Sequence, residues 1–233
     1  QIQSEIGKIK AKIVAKKAAD DAKNKQGAQQ SQEVAPETEK DDFVIPLREI
    51  WNNLQPTRMN LGNTSKLNTH MINLSTSINK AVGDLFEGAS RPGHFTGMLT
   101  VVKRLFDLVK PDFAIFGEKD FQQLFLIKEM VGKFELPIEI VAHPIVREPD
   151  GLALSSRNVR LSQEDRKRAP IIYEALKSGR ENLKQVLERE PAWKTDYATV
   201  INPENFKEEM APRQRAIVAG WIGGVRLIDN MEY

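Results

Sequence analysis

The chain has 233 residues, 40% of them hydrophobic and 28% charged, with 34 basic and 32 acidic side chains for a formal net charge of +2. That balance argues against a dedicated nucleic-acid binder, which carries a clear basic excess. The absence of cysteine excludes disulfides, thiolate zinc sites and cysteine nucleophiles, and is compatible with a reducing, cytoplasmic setting. No apolar run approaches the roughly 20 residues that span a bilayer, so no membrane partner is expected. The chain opens Gln-Ile-Gln-Ser, with no charged and apolar leader pattern.

Residues 1–40 are rich in Lys, Ala, Gln, Asp and Glu and hold no aromatic residue. Ile6, Ile9, Ile13 and Val14 fall at helical spacing, so one short amphipathic helix is expected, followed from Asn24 to Lys40 by a polar linker. Phe43-Val-Ile-Pro46 reads as a short strand ended by its proline. Asn60 to Leu74 has no periodic pattern. Regularity begins after residue 80. Gly97–Val109 has apolar residues on a helical period, Asp112–Phe116 reads as a buried strand ending at Gly117, Asp120–Phe134 returns to helical spacing, and Ile138–Ala142 reads as a second strand. This alternation implies parallel strands with crossover helices. Ser162, followed by Glu164 and Asp165, marks a helix start. That helix is expected to run to about Glu188 with interruptions near Pro170 and Gly179. Tyr197–Ile201 and Arg215–Ile228 alternate as strands of a small closing sheet.

Four clusters carry candidate chemistry: Glu87-Gly-Ala-Ser-Arg-Pro-Gly-His-Phe95, Gly117-Glu-Lys-Asp-Phe-Gln-Gln123, Asp150-Gly-Leu-Ala-Leu-Ser-Ser-Arg-Asn158 and Arg226-Leu-Ile-Asp-Asn230. In an open α/β sheet, ligands sit beyond the carboxyl ends of the strands. Lys119 lies between a strand and a helix and is expected to project there. A helix N-terminus offers free amide donors and positive partial charge to an anion, Lys119 adds a full charge, and Arg157 can grip a phosphate with two prongs. Ser155 and Ser156 can donate to the same oxygens. Each cluster alone is also consistent with an ordinary connecting loop.

Together and in this order, RPGHF, GEKDFQQ, DGLALSSRN and RLIDN resemble the pantothenate synthetase family over about residues 76–233. The resemblance implies an α/β fold: a partial Rossmann-like parallel sheet over residues 41–160, of the nucleotidyltransferase superfamily, and a small C-terminal α+β domain over 161–233. It implies ATP-dependent joining of pantoate to β-alanine with Mg2+ present, through pantoyl adenylate and release of pyrophosphate, then of AMP. By matching motif, Gly117, Lys119 and Asp120 would lie at the ATP site. Gln123 would bind pantoate, and Ser155, Ser156 and Arg157 would hold the triphosphate. Arg91 and His94 would lie near the site, His94 in either a catalytic or a structural role, and no residue is assigned as a protein metal ligand. His143 is read as structural and His70 is assigned nothing. The family's PTMGALHxGH-like loop and NPxQF segment have no counterpart in residues 1–80. The alternatives are therefore an enzyme completed by another chain, a diverged enzyme, or a non-catalytic subunit of an assembly. A homodimer, or a partner chain completing the N-terminal half, is the expected association.

Overall fold

The computed structural model describes residues 80–233, all within one compact unit, Asn52–Tyr233. The helix and linker expected over residues 1–40, the strand expected at Phe43–Pro46 and His70 lie outside the described residues. The described residues show the mixed α/β architecture expected from sequence: a two-stranded parallel sheet and a separate three-stranded antiparallel sheet.

Two short helices, α1 (Lys80–Gly83) and α2 (Glu87–Ser90), precede α3 (His94–Val109). Helix α3 starts three residues before the apolar period begins, directly after Gly93, whose φ of 78° turns the chain into the helix. Phe95, Leu99 and Phe106 form its buried stripe. It ends at Lys110 in the left-handed conformation, whose N–H donates to the Phe106 carbonyl at 2.8 Å, and Pro111 prevents continuation. Strand β1 (Phe113–Gly117) leads through a 3-10 turn at Glu118–Asp120 into α4 (Phe121–Lys133), and β2 (Glu139–His143) returns parallel to β1, with Phe113 opposite Glu139 and Gly117 opposite His143. Helix α4 buries Leu124, Leu126, Ile127 and Met130.

The long helix expected from Ser162 is three short ones: α5 (Gln163–Arg168), α6 (Ile171–Lys177) and α7 (Leu183–Leu187). Ser162 caps α5, its Oγ accepting from the Asp165 N–H at 3.1 Å. The breaks fall at Pro170, and at Gly179 with φ +83°. Strands β3 (Lys194–Ile201), β4 (Arg215–Ile222) and β5 (Val225–Glu232) form an antiparallel meander in that order. The stretch expected as Arg215–Ile228 is thus two strands. Gly223 and Gly224, at φ +55° and +76°, make a two-residue hairpin between paired Ile222 and Val225. Positive φ at both central positions is what such a tight turn requires.

Two hydrophobic cores result. One packs Ile172, Leu176 and Leu187 against Trp193, Val218 and Ile222. The other joins Leu99, Ile127 and Met130 to Ile201, Phe206 and Ile217, so the antiparallel sheet also packs against the βαβ unit. Phe206 stacks on Phe121 (5.5 Å) and meets Phe125 edge-on (5.0 Å) at this seam.

Gly151 has φ +91°, and a Cβ there would lie 1.9 Å from the Tyr173 ring. Gly151→Ala is therefore expected to lower unfolding free energy by about 2–4 kcal/mol through strain and overpacking. Gly97, exposed inside α3 with nothing within 4 Å of an added Cβ, should instead gain about 0.5–1 kcal/mol on change to Ala. Urea unfolding of the two variants checks the opposite signs.

Candidate functional site

The turn after β1 is where the sheet meets the ligand-facing side chains. Gly117 is extended (φ −72°, ψ 138°) and exposed, and an added Cβ would meet nothing within 4 Å. Neither backbone conformation nor internal packing requires glycine there; its bareness keeps open the space outside the strand. The helix expected to begin at Asp120 begins instead at Phe121, because Glu118–Asp120 tighten into the 3-10 turn. Asn230 of β5 holds that turn, its Nδ2 donating to the carbonyls of Glu118 (2.9 Å) and Lys119 (3.0 Å). Asn230 is itself fixed by Arg215, which donates to its Oδ1 at 2.6 Å, and by its own N–H on Asp229 Oδ1 (2.7 Å). Asp229 accepts two bonds from Arg147, at 2.5 and 3.0 Å. Burial pushes the Asp229 carboxyl up and the Arg147 pairing pulls it back.

A cleft of about 440 Å³ opens beside this turn, and Lys119, Asp120, Gln123, Arg91 and His94 all line it. Five of the residues singled out in the sequence thus meet in one cavity. Burial lowers the Lys119 ammonium, opposed by the nearby carboxylates of Asp120 and Asp229. Arg91 Nη1 lies 3.0 Å from His94 Nε2. A guanidinium can only donate, so Nε2 accepts and the neutral ring carries its proton on Nδ1. Burial first, and the Arg91 charge second, hold the His94 pKa below its ordinary value.

Arg157 lines a neighbouring groove that shares Arg91 with the cleft. Ser155 and Ser156 line neither cavity; Ser155 Oγ accepts from the Arg157 N–H at 3.2 Å and shapes the loop. His143 ends β2 with Nδ1 2.8 Å from the Pro144 carbonyl oxygen.

Residues assigned no role from sequence frame the cleft. Glu87 is buried, and its carboxylate accepts from Arg226 at 2.6 and 2.9 Å and from the Tyr197 hydroxyl at 2.9 Å. Burial, then the adjoining Glu87 charge, raise the Tyr197 phenol, keeping it a neutral donor. Gln122 Oε1 accepts from the Glu87 N–H at 3.2 Å, while its Nδ-equivalent amide, Nε2, donates to the carbonyls of Val82 and Leu85 at 2.7 and 2.9 Å. The only sequence signal for these partners was the recurrence of EGASRPGHF and RLIDN in one chain.

A family model described as pantoate-beta-alanine ligase matches residues 20–232. The chain belongs to the pantoate–β-alanine ligase family. The pantothenate synthetase of Thermus thermophilus is 47% identical over 167 residues, covering 64% of this chain and 59% of the relative. That of Chloroflexus aggregans is 41% identical over 170 residues, covering 66% and 61%. A crystal structure of the Thermus thermophilus enzyme matches with a TM-score of 0.62 at 45% identity, over 64% of this chain and 60% of that one. A Francisella tularensis pantoate-beta-alanine ligase complexed with beta-gamma ATP and β-alanine matches with a TM-score of 0.56 at 39% identity, over 65% and 55%. The chain spans about three fifths of the length of these curated relatives.

The His94 environment gives a titration test. Its folded pKa is lowered, so its stabilising contribution is present above the ordinary histidine pKa of about 6.5 and is lost as pH falls through the folded value. The Cε1–H resonance should titrate with a midpoint below about 6.5, and Arg91→Ala should move it partway up. A midpoint at or above the ordinary value contradicts the neutral, Arg91-bonded ring.

Proposed function

We propose that this chain carries the cleft for ATP-dependent joining of pantoate to β-alanine. The supporting observation is the convergence of Lys119, Gln123, Arg91 and His94 beside the bare strand end at Gly117. In the first step a pantoate carboxylate oxygen would attack the α-phosphorus of ATP, forming the acyl–phosphate bond of pantoyl adenylate and expelling pyrophosphate. The amine of β-alanine would then attack the acyl carbon, breaking the carbon–oxygen bond and releasing AMP. Lys119 faces the phosphates from a turn locked by Asn230, so its charge is in place before charge develops in the transition state. Gly117 lets the nucleotide approach the strand end, with Asp120 at the ribose and Gln123 on pantoate. Arg157, its loop shaped by Ser155, reaches the phosphates from the neighbouring groove. Ser156, exposed on the same loop, adds a hydroxyl donor.

Among the described residues no group of three or more His, Asp or Glu is placed to hold a metal. Mg2+ is ordinarily held by phosphates with one or two carboxylates, and Asp120 at the cleft fits that role. When bound, the ion would supply charge neutralisation on the phosphates. The shorter span of the chain, and the absence from residues 1–80 of a PTMGALHxGH-like loop, favour a second copy or a partner chain completing the site.

The test is pantoate-dependent exchange of labelled pyrophosphate into ATP. Lys119→Ala should reduce exchange by about 100-fold or more. Gly117→Val should abolish it while leaving the melting temperature nearly unchanged, because the added side chain meets only ligand space. Folded wild-type chain with no exchange would reject stand-alone adenylation and turn the reading to a non-catalytic subunit.

A further inference from the structure

The loop carrying Arg157 ends in a 3-10 turn, Asn158–Arg160, in which the Arg160 N–H donates to the Arg157 carbonyl at 3.0 Å. A 3-10 turn has 3.0 residues per turn, so side chains three apart eclipse. Arg157 and Arg160 therefore leave the turn on the same side. The turn is pinned by buried Asn158, whose Nδ2 donates to Glu148 Oε1 (2.9 Å) and to the Ala153 carbonyl (3.1 Å).

Both guanidinium groups line one groove of about 620 Å³, together with Arg91, Arg226, Gly224 and Val225. No carboxylate lines it. Arg226 is neutralised by Glu87 and Asp196, and Arg91 is bonded to His94. Arg157 and Arg160 have no side-chain partner among the described residues. Two unneutralised guanidinium groups held side by side repel each other until an anion of matching double charge sits between them. Phosphate oxygens match the planar fork of arginine best. Gly224 at the hairpin tip adds no side chain to the groove, and a Cβ there would meet nothing within 4 Å.

We infer that this groove seats a diphosphate group, with Arg160 as a binding residue beside Arg157. Arg91 lines both cavities, so the seat adjoins the cleft on the side a leaving diphosphate would take. The inference rests on the ligase reading only for the source of the group: the tail of ATP or released pyrophosphate.

Calorimetric titration of the full chain with pyrophosphate, ATP and AMP tests it. Arg160 is exposed and bonds no described side chain, so Arg160→Gln should fold, as a thermal melt verifies. Arg160→Gln is expected to weaken pyrophosphate binding by about tenfold or more and to leave AMP binding unchanged. Weakening of pyrophosphate identifies the released product as an occupant; weakening of ATP alone identifies the attached tail. Either supports the seat. Wild-type affinity for both in Arg160→Gln overturns it, as does equal weakening of AMP, and as does loss of pyrophosphate binding in Lys119→Ala but not in Arg160→Gln. Arg160-dependent pyrophosphate binding without pantoate-dependent exchange would retain the seat and reject the ligase reading.

Discussion

The carboxylate of Glu87 is the constraint on which the cleft depends. Taking it out of water costs several kcal/mol unless its oxygens are fully paired, and three donors meet it: both prongs of Arg226 from β5 and the Tyr197 hydroxyl from β3. Because Arg226 is 139 residues away in sequence, satisfying this one charge forces the antiparallel sheet onto the segment that carries Arg91 and His94. Asp196 and Ser90 extend the same contact, Asp196 accepting from Arg226 (2.6 Å) and from the Ser90 hydroxyl (2.7 Å). Gln122 then ties the backbone of Glu87 to α4.

Strand β5 acts as a clamp with two jaws. Side chains alternate along a strand with period two, so Arg226 and Asn230 share a face. One reaches Glu87 and the other holds the carbonyls of Glu118 and Lys119. Between them Asp229 takes Arg147, whose guanidinium lies 4.5 Å over the Tyr173 ring, the same ring that makes Gly151 obligatory. The GEKD turn, the DGLALSSRN loop and the RLIDN strand are thus one connected polar structure. Preorganisation of Lys119 follows from hydrogen bonds to its backbone carbonyl rather than to its ammonium, which stays available to a ligand.

The local signals were legible in the sequence. Apolar periods gave α3, β1, α4 and β2 in order, Ser162 marked a cap, and Pro170 and Gly179 marked breaks. The Gly223-Gly224 pair carried a hairpin signal that the alternating run of Arg215–Ile228 concealed, since both flanking strands share one apolar pattern. The cleft was legible where a residue type is demanded by a ligand, as at Lys119 and Gln123. It was not legible where the demand comes from distant pairing. Glu87, opening a four-residue helix, looks like a solvated surface acid; its burial follows only from Arg226 and Tyr197, more than 100 residues away. Ser155 and Ser156 match phosphate donors by type, yet Ser155 turns inward on its own loop because the Arg157 N–H is its nearest partner.

The most direct measurement of this account is a double-mutant cycle on unfolding free energy between Glu87→Gln and Arg226→Met. If the ion pair holds the two parts together, each single change costs about 3–5 kcal/mol, because it strands a buried partner. The double variant then costs far less than the sum, with a coupling above about 1 kcal/mol. Costs that add within about 0.5 kcal/mol would contradict the claim that this pair organises the cleft.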